Sequence, residues 1–85
     1  MDQAVILSTA RTPIGKAYRG IFNDTDAPTL ASFSIKASIE KAKLDPSEIE
    51  DVILGAAVQQ GSQGYNIGRL SAVSSGLPVH VPGMS

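Results

Sequence analysis

A lone histidine, a few carboxylates, glycine-bearing loops and an asparagine–arginine pair are the features of this sequence whose types or spacing could do chemistry. His80 has an unperturbed pKa near neutrality, which suits a general base. No Ser or Cys nucleophile with supporting groups accompanies it. It alternates with Val79 and Val81, the pattern of a half-exposed strand position. Glu48, Glu50 and Asp51 cap or flank a predicted strand, a solvated surface role. Glycine loops near helix starts invite a phosphate reading, because exposed N–H groups there can cradle an anion. The spacing refuses it. Gly15-Lys16 is followed by Ala17 rather than Ser or Thr, and Ala10 stands where a P-loop needs its first glycine. Gly61, Gly64 and Gly68 do not make the dinucleotide fingerprint either. Asn66 and Arg69 lie three apart on the first turn of a predicted helix and face the same side; as a cap and a flanking cation they need no further function. The sequence has no cysteine, which excludes a disulfide framework, a thiolate metal site and a cysteine nucleophile within it, and one histidine cannot build a zinc site.

The elements that would position these groups alternate between strand and helix. Ala4-Val5-Ile6-Leu7 is an unbroken apolar run rich in β-branched residues, predicted as a strand buried on both faces. Pro13 and Gly15 then turn the chain out of the sheet, so a charged loop over 11–16 follows directly. Residues 17–27 have little periodicity and read as a surface loop, pinned by Ile21 and Phe22. Asp26 or Ala27 as N-cap and Pro28 in the first turn start a helix over 28–43. Ala31, Ile35, Ile39 and Ala42 share one face of it, while Leu30, Phe33 and Ala37 make a second apolar strip. A helix apolar on two sides expects cover on two sides. Lys36, Glu40 and Lys43 cluster on what remains.

Asp45, Pro46 and Glu48 have the spacing of a capping box and predict a single turn. The apolar run 52–58 is a second buried strand, completing a βαβ unit with a parallel, right-handed crossover. After a polar loop over 59–65, Asn66 caps a short helix over 67–75 that Gly76, Leu77 and Pro78 close. Val79-His80-Val81-Pro82 predicts the start of a third strand.

A chain of 85 residues makes one domain at most and buries somewhat over ~60% of its unfolded surface, so its own core is small. Hydrophobic residues at 42% and charged residues at 18% belong to a chain that packs rather than to a disordered tail. Seven basic and eight acidic side chains leave a net charge of −1, with no basic stripe, and the four aromatics do not alternate with basic residues; nucleic acid is not an expected partner. Met1-Asp2-Gln3 lacks a basic leader region, and the apolar runs fall far short of the ~20 residues of a membrane helix, so a soluble cytoplasmic chain with no membrane partner is expected.

Four stretches in register resemble the thiolases, the acyl-CoA C-acyltransferases. They are Ala10-Arg11-Thr12-Pro13-Ile14-Gly15-Lys16 after the first apolar run, and Leu44-Asp45-Pro46 with Val52-Ile53-Leu54-Gly55. The third is Gln63-Gly64-Tyr65-Asn66-Ile67-Gly68-Arg69, and the fourth is Gly76-Leu77-Pro78-Val79-His80-Val81-Pro82. The resemblance implies an α/β fold of α/β/α layers, of which residues 1–85 are the first βαβα part of the N-terminal domain, incomplete by themselves. It implies an enzyme that transfers an acyl group between coenzyme A and a second acetyl-CoA, or cleaves a 3-ketoacyl-CoA with free coenzyme A, in fatty acid metabolism. Such an enzyme uses a nucleophilic cysteine, a histidine that activates it, a second cysteine that moves a proton at the substrate α-carbon, and oxyanion holes. None of those groups matches a residue here. The segment ends just short of the family's nucleophilic cysteine, and His80 does not match its catalytic histidine. No catalytic, cofactor-binding or metal-binding residue is therefore assigned, and coenzyme A or acyl-CoA is expected only as substrate of the complete enzyme. The remainder of the polypeptide and a homo-oligomer, dimer or tetramer, are the implied partners, with Gln63, Asn66 and Arg69 as interface or scaffold residues. The alternatives are a noncatalytic α/β interaction module that packs on a partner protein and a small standalone α/β ligand binder.

Overall fold

A computed structural model describes residues 3–15 and 24–85. The loop expected over 17–27 falls mostly outside them, and with it Lys16, Ile21 and Phe22. The chain forms helix α1 (Ala27–Ala42), a 3-10 turn (Pro46–Glu48), strand β1 (Val52–Ile53), a second 3-10 turn (Gly61–Gln63), helix α2 (Ile67–Ser74) and strand β2 (Gly83–Met84).

Helix α1 starts where the caps place it. The Asp26 carboxylate accepts from the Thr29 amide at 2.9 Å, and Pro28 sits in the first turn, where its missing N–H costs nothing. At its other end Lys43 adopts φ 57° and ψ 40°, the left-handed region. Lys43 N–H then donates to Glu40 O at 3.1 Å and Leu44 N–H to Ile39 O at 3.3 Å, the paired bonds of a Schellman stop. Ala31, Ile35, Ile39 and Ala42 are half-buried, as one inward face requires, whereas Phe33 on the second apolar strip is 59% exposed. The 3-10 turn departs from a full capping box. The Asp45 carboxylate takes both the amide and the hydroxyl of Ser47, at 2.9 and 2.8 Å, so its oxygen is spent one residue early.

The two strands pair in parallel, Val52 opposite Gly83 and Ile53 opposite Met84. Val52 N–H donates to Pro82 O at 3.0 Å and Leu54 N–H to Met84 O at 2.9 Å. Helix α2 crosses over between them and covers one face. Ala72, Leu77 and Val81 form the buried cluster, with Ile39, Ile49 and Val52 packed against it. Ile53 and Met84 are exposed, at 74% and 53%.

Three expectations about strands are corrected. Residues 4–7 join no ladder among the described residues, and Val5, Ile6 and Leu7 are mostly exposed. Their segment leans on α1 instead: Ser8 Oγ donates to Ser38 O at 2.6 Å and Lys41 Nζ to Thr9 O at 3.1 Å. Openings of about 280 and 330 Å³ lie beside it, the second lined by Val5, Ile6, Leu7 and Ser8 together with Ile39 and Ile49, and the amides of Val52 and Leu54 donate to Pro82 and Met84 instead. The parallel pair is therefore the one bridged by α2 rather than the one bridged by α1. The apolar run 52–58 is strand only over Val52–Ile53, because β2 offers carbonyls to Val52 and Leu54 alone. The third strand begins at Gly83, not at Val79. Val81 N–H donates to Pro78 O at 3.0 Å, closing a turn that leaves Val79 84% exposed, His80 exposed and Val81 fully buried.

Candidate functional site

Helix α2 is short, and its first turn is held by unusual backbone. Tyr65 and Asn66 both lie at positive φ, 53° and 57°. Asparagine tolerates that region better than most residues, since its short amide can bond locally. Here the amide oxygen accepts from Arg69 N–H at 3.3 Å and caps the helix, while Nδ2 donates to Gly83 O at 3.2 Å. One side chain thus ties the helix start to β2. Ser85 Oγ stands 3.3 Å from Asn66 Oδ1 and 3.0 Å from Gln59 Oε1, carrying the connection to the strand's far end.

Arg69 completes the clamp. Its two terminal nitrogens donate to Val81 O and, at 3.1 Å, to Val79 O. A planar guanidinium suits this task, because two donors in a fixed fork reach two carbonyls of one turning segment. The Val79, Val81 and Gly83 carbonyls are therefore all held by side chains from the first turn of α2.

The helix can approach this closely because two glycines face each other. A Cβ on Gly68 would stand 2.1 Å from Met84 O, and one on Gly83 would stand 2.6 Å from Gly68 O. Sequence reasoning passed over this contact. The available signal was a glycine inside a helical pattern, which costs about 1 kcal/mol against alanine and so asks for a packing reason.

Of the three residues expected at a scaffold or interface, the structure brings Asn66 and Arg69 together and leaves Gln63 apart. Gln63 ends the second 3-10 turn and lines an opening of about 340 Å³ with Thr12, Ala27, Leu30 and Ile67. Beside it Ser62 Oγ accepts from Ala27 N–H at 3.1 Å, joining this loop to the start of α1. His80 lies in its exposed turn. Among the described residues no three His, Asp or Glu side chains converge as a metal site, and no helix is long and apolar enough to cross a membrane. Carboxylates at Asp26 and Asp45 are held below the ordinary range, the first by the side chain and amide of Thr29, the second by the amide and hydroxyl of Ser47. Both are helix or turn caps.

A parallel strand pair, crossed by a helix that clamps the second strand from its own N-terminus, defines an α/β segment of the kind that forms part of a larger layered sheet. The chain belongs to the thiolase family: the model of the thiolase N-terminal domain matches residues 4–85. The 3-ketoacyl-CoA thiolase of Shewanella frigidimarina is 42% identical over 79 residues, covering 92% of this chain and 20% of that protein. The 3-ketoacyl-CoA thiolase of Idiomarina loihiensis is 37% identical across 100% of this chain and 22% of its own length. Among solved structures, the Acat5 thiolase of Ascaris suum in complex with coenzyme A superimposes with a TM-score of 0.84 at 32% identity, over 93% of this chain and 20% of that one. The chain thus spans about a fifth of the length of the relatives it matches.

Proposed function

We propose that residues 1–85 act as the incomplete N-terminal part of the N-terminal domain of a 3-ketoacyl-CoA thiolase, an acyltransferase of fatty acid metabolism. The observation that carries this reading is the thiolase match across residues 4–85 against only 20% of the relatives' length. The whole enzyme would cleave a 3-ketoacyl-CoA with coenzyme A as co-substrate. Its catalytic thiolate would come from polypeptide beyond these residues, since the chain contains no cysteine. Gln63, Asn66 and Arg69 would serve as interface or scaffold residues, in an enzyme that would be a homo-oligomer. Its compartment would be the cytoplasm.

The test is a hybrid. The 85 residues replace the first fifth of the Shewanella frigidimarina enzyme, which they match over 20% of its length, and thiolysis of acetoacetyl-CoA is followed. The hybrid is expected to be active and the 85-residue chain alone inactive. Activity of the chain by itself, or a folded hybrid without activity, contradicts the proposal.

A further inference from the structure

We propose that Arg69 and Asn66 are positioning residues of the thiolase reaction, a step that rests on the function proposed above. They act through β2. In parallel α/β sheets, ligands bind beyond the carboxyl ends of the strands, and the backbone after Met84 leaves β2 at that edge, where a thiolase would place its reacting groups. The direction in which it leaves is set by the backbone over 79–85, and that backbone is gripped at alternate carbonyls. Arg69 takes Val79 and Val81, and Asn66 takes Gly83 while standing against the Ser85 hydroxyl. The ladder alone is a weak guide, because β1 and β2 pair over two residues each. Pro78 and Pro82 have no amide to donate to a ladder, and of the carbonyls in this segment those of Val79, Val81 and Gly83 go to the side chains of α2. Helix α2 is itself fixed by buried Ile67 and Ala72 and by the Gly68–Gly83 contact, so the clamp transmits the position of the core to the sheet's carboxyl edge.

The experiment uses the hybrid enzyme described above, as the parent and as Arg69→Ala, Arg69→Lys and Asn66→Ala. Displacing a reacting group by an ångström costs on the order of a hundredfold in rate, so Arg69→Ala is expected to lower kcat by ten- to a hundredfold. KM should stay within about twofold, because substrate-binding surfaces are untouched. Millimolar guanidinium, far below denaturing concentration, should restore part of the lost kcat, and Arg69→Lys should lie between parent and alanine variant. Amide hydrogen exchange supplies a readout besides activity: the Val52 and Leu54 amides, which donate to Pro82 and Met84, should exchange on the order of tenfold faster in Arg69→Ala. An unchanged kcat, a loss confined to KM or thermal stability, or unchanged exchange overturns the proposal. If Arg69→Ala does not fold, Arg69→Lys and Asn66→Ala are judged by the same criteria. An inactive parent hybrid refutes the thiolase function rather than the clamp, which the exchange data then decide.

Discussion

Gly68 and Gly83 meet backbone to backbone. A Cβ built on Gly68 would fall 2.1 Å from Met84 O, 2.5 Å from Met84 C and 2.9 Å from Met84 N. These neighbours belong to a paired strand and cannot swing away as the end of a flexible side chain could. Two effects oppose each other in Gly68→Ala. Helix propensity favours alanine by about 1 kcal/mol, and the clash forces α2 off β2, which overpacking data put at about 1–3 kcal/mol or more. The clash should win. With the clash at the upper end of that range, urea unfolding is expected to show a net loss of about 2 kcal/mol for Gly68→Ala, whereas Gly55→Ala, whose Cβ would meet nothing within 4 Å, should change little.

Lys43 terminates α1 with a left-handed backbone, a conformation that costs a residue with a Cβ about 1–2 kcal/mol. Its side chain is exposed at the helix's carboxyl end and contributes a few tenths of a kcal/mol through the dipole. Gly at this position removes the strain but adds freedom to the unfolded chain. Lys43→Gly is therefore expected to stabilise by about 0.5–1 kcal/mol, and Lys43→Val, β-branched, to destabilise by a similar amount or more. Chemical denaturation midpoints of the two variants check the sign of each.

The helices were legible in the sequence because their signals are local. Asp26 with Pro28, and Asn66 followed by Gly76-Leu77-Pro78, mark starts and stops within a few residues, and the observed helices begin and end within a residue or two of those marks. The strands were less legible because a strand exists only where another offers its ladder. Ala4-Val5-Ile6-Leu7 has strand composition yet pairs with nothing among the described residues, and Val79-His80-Val81 alternates correctly yet turns, since Arg69 occupies two of its carbonyls. The same logic applies to the candidate site. The spacing of Asn66 and Arg69 showed that they share a side of α2. That their common target is the backbone over 79–83 is a long-range fact which no local pattern carries.

Ser71 is fully buried in α2, and its hydroxyl has no hydrogen-bond partner among the described residues. Its carbonyl is engaged, accepting from Ser75 Oγ at 2.7 Å. A stranded buried hydroxyl costs about 1–3 kcal/mol, and serine is also a poorer helix former than alanine. Both effects point one way, so Ser71→Ala should stabilise by about 1 kcal/mol. Ser75→Ala loses a made bond and should instead be neutral or mildly destabilising. Thermal unfolding of the pair separates the two: a lowered Tm for Ser71→Ala would mean that the hydroxyl has a partner.

The acid limb of stability should follow the two capping carboxylates. Asp26 is held below its ordinary pKa by the side chain and amide of Thr29, and Asp45 by the amide and hydroxyl of Ser47. Because the folded-state values lie below the unfolded ones, each group adds stability that is complete above the unfolded value of about 3.9. That contribution falls as pH drops through the interval and is gone below the folded value. Asn at either position keeps an oxygen to accept the amide but carries no charge to titrate. Asp26→Asn and Asp45→Asn should therefore lower stability slightly at neutral pH and flatten its decline below about pH 4, most clearly in the double variant. Urea midpoints at pH 3 and pH 7 measure the effect. A double variant with the same acid-to-neutral difference as the parent would show that the caps do not govern the acid limb.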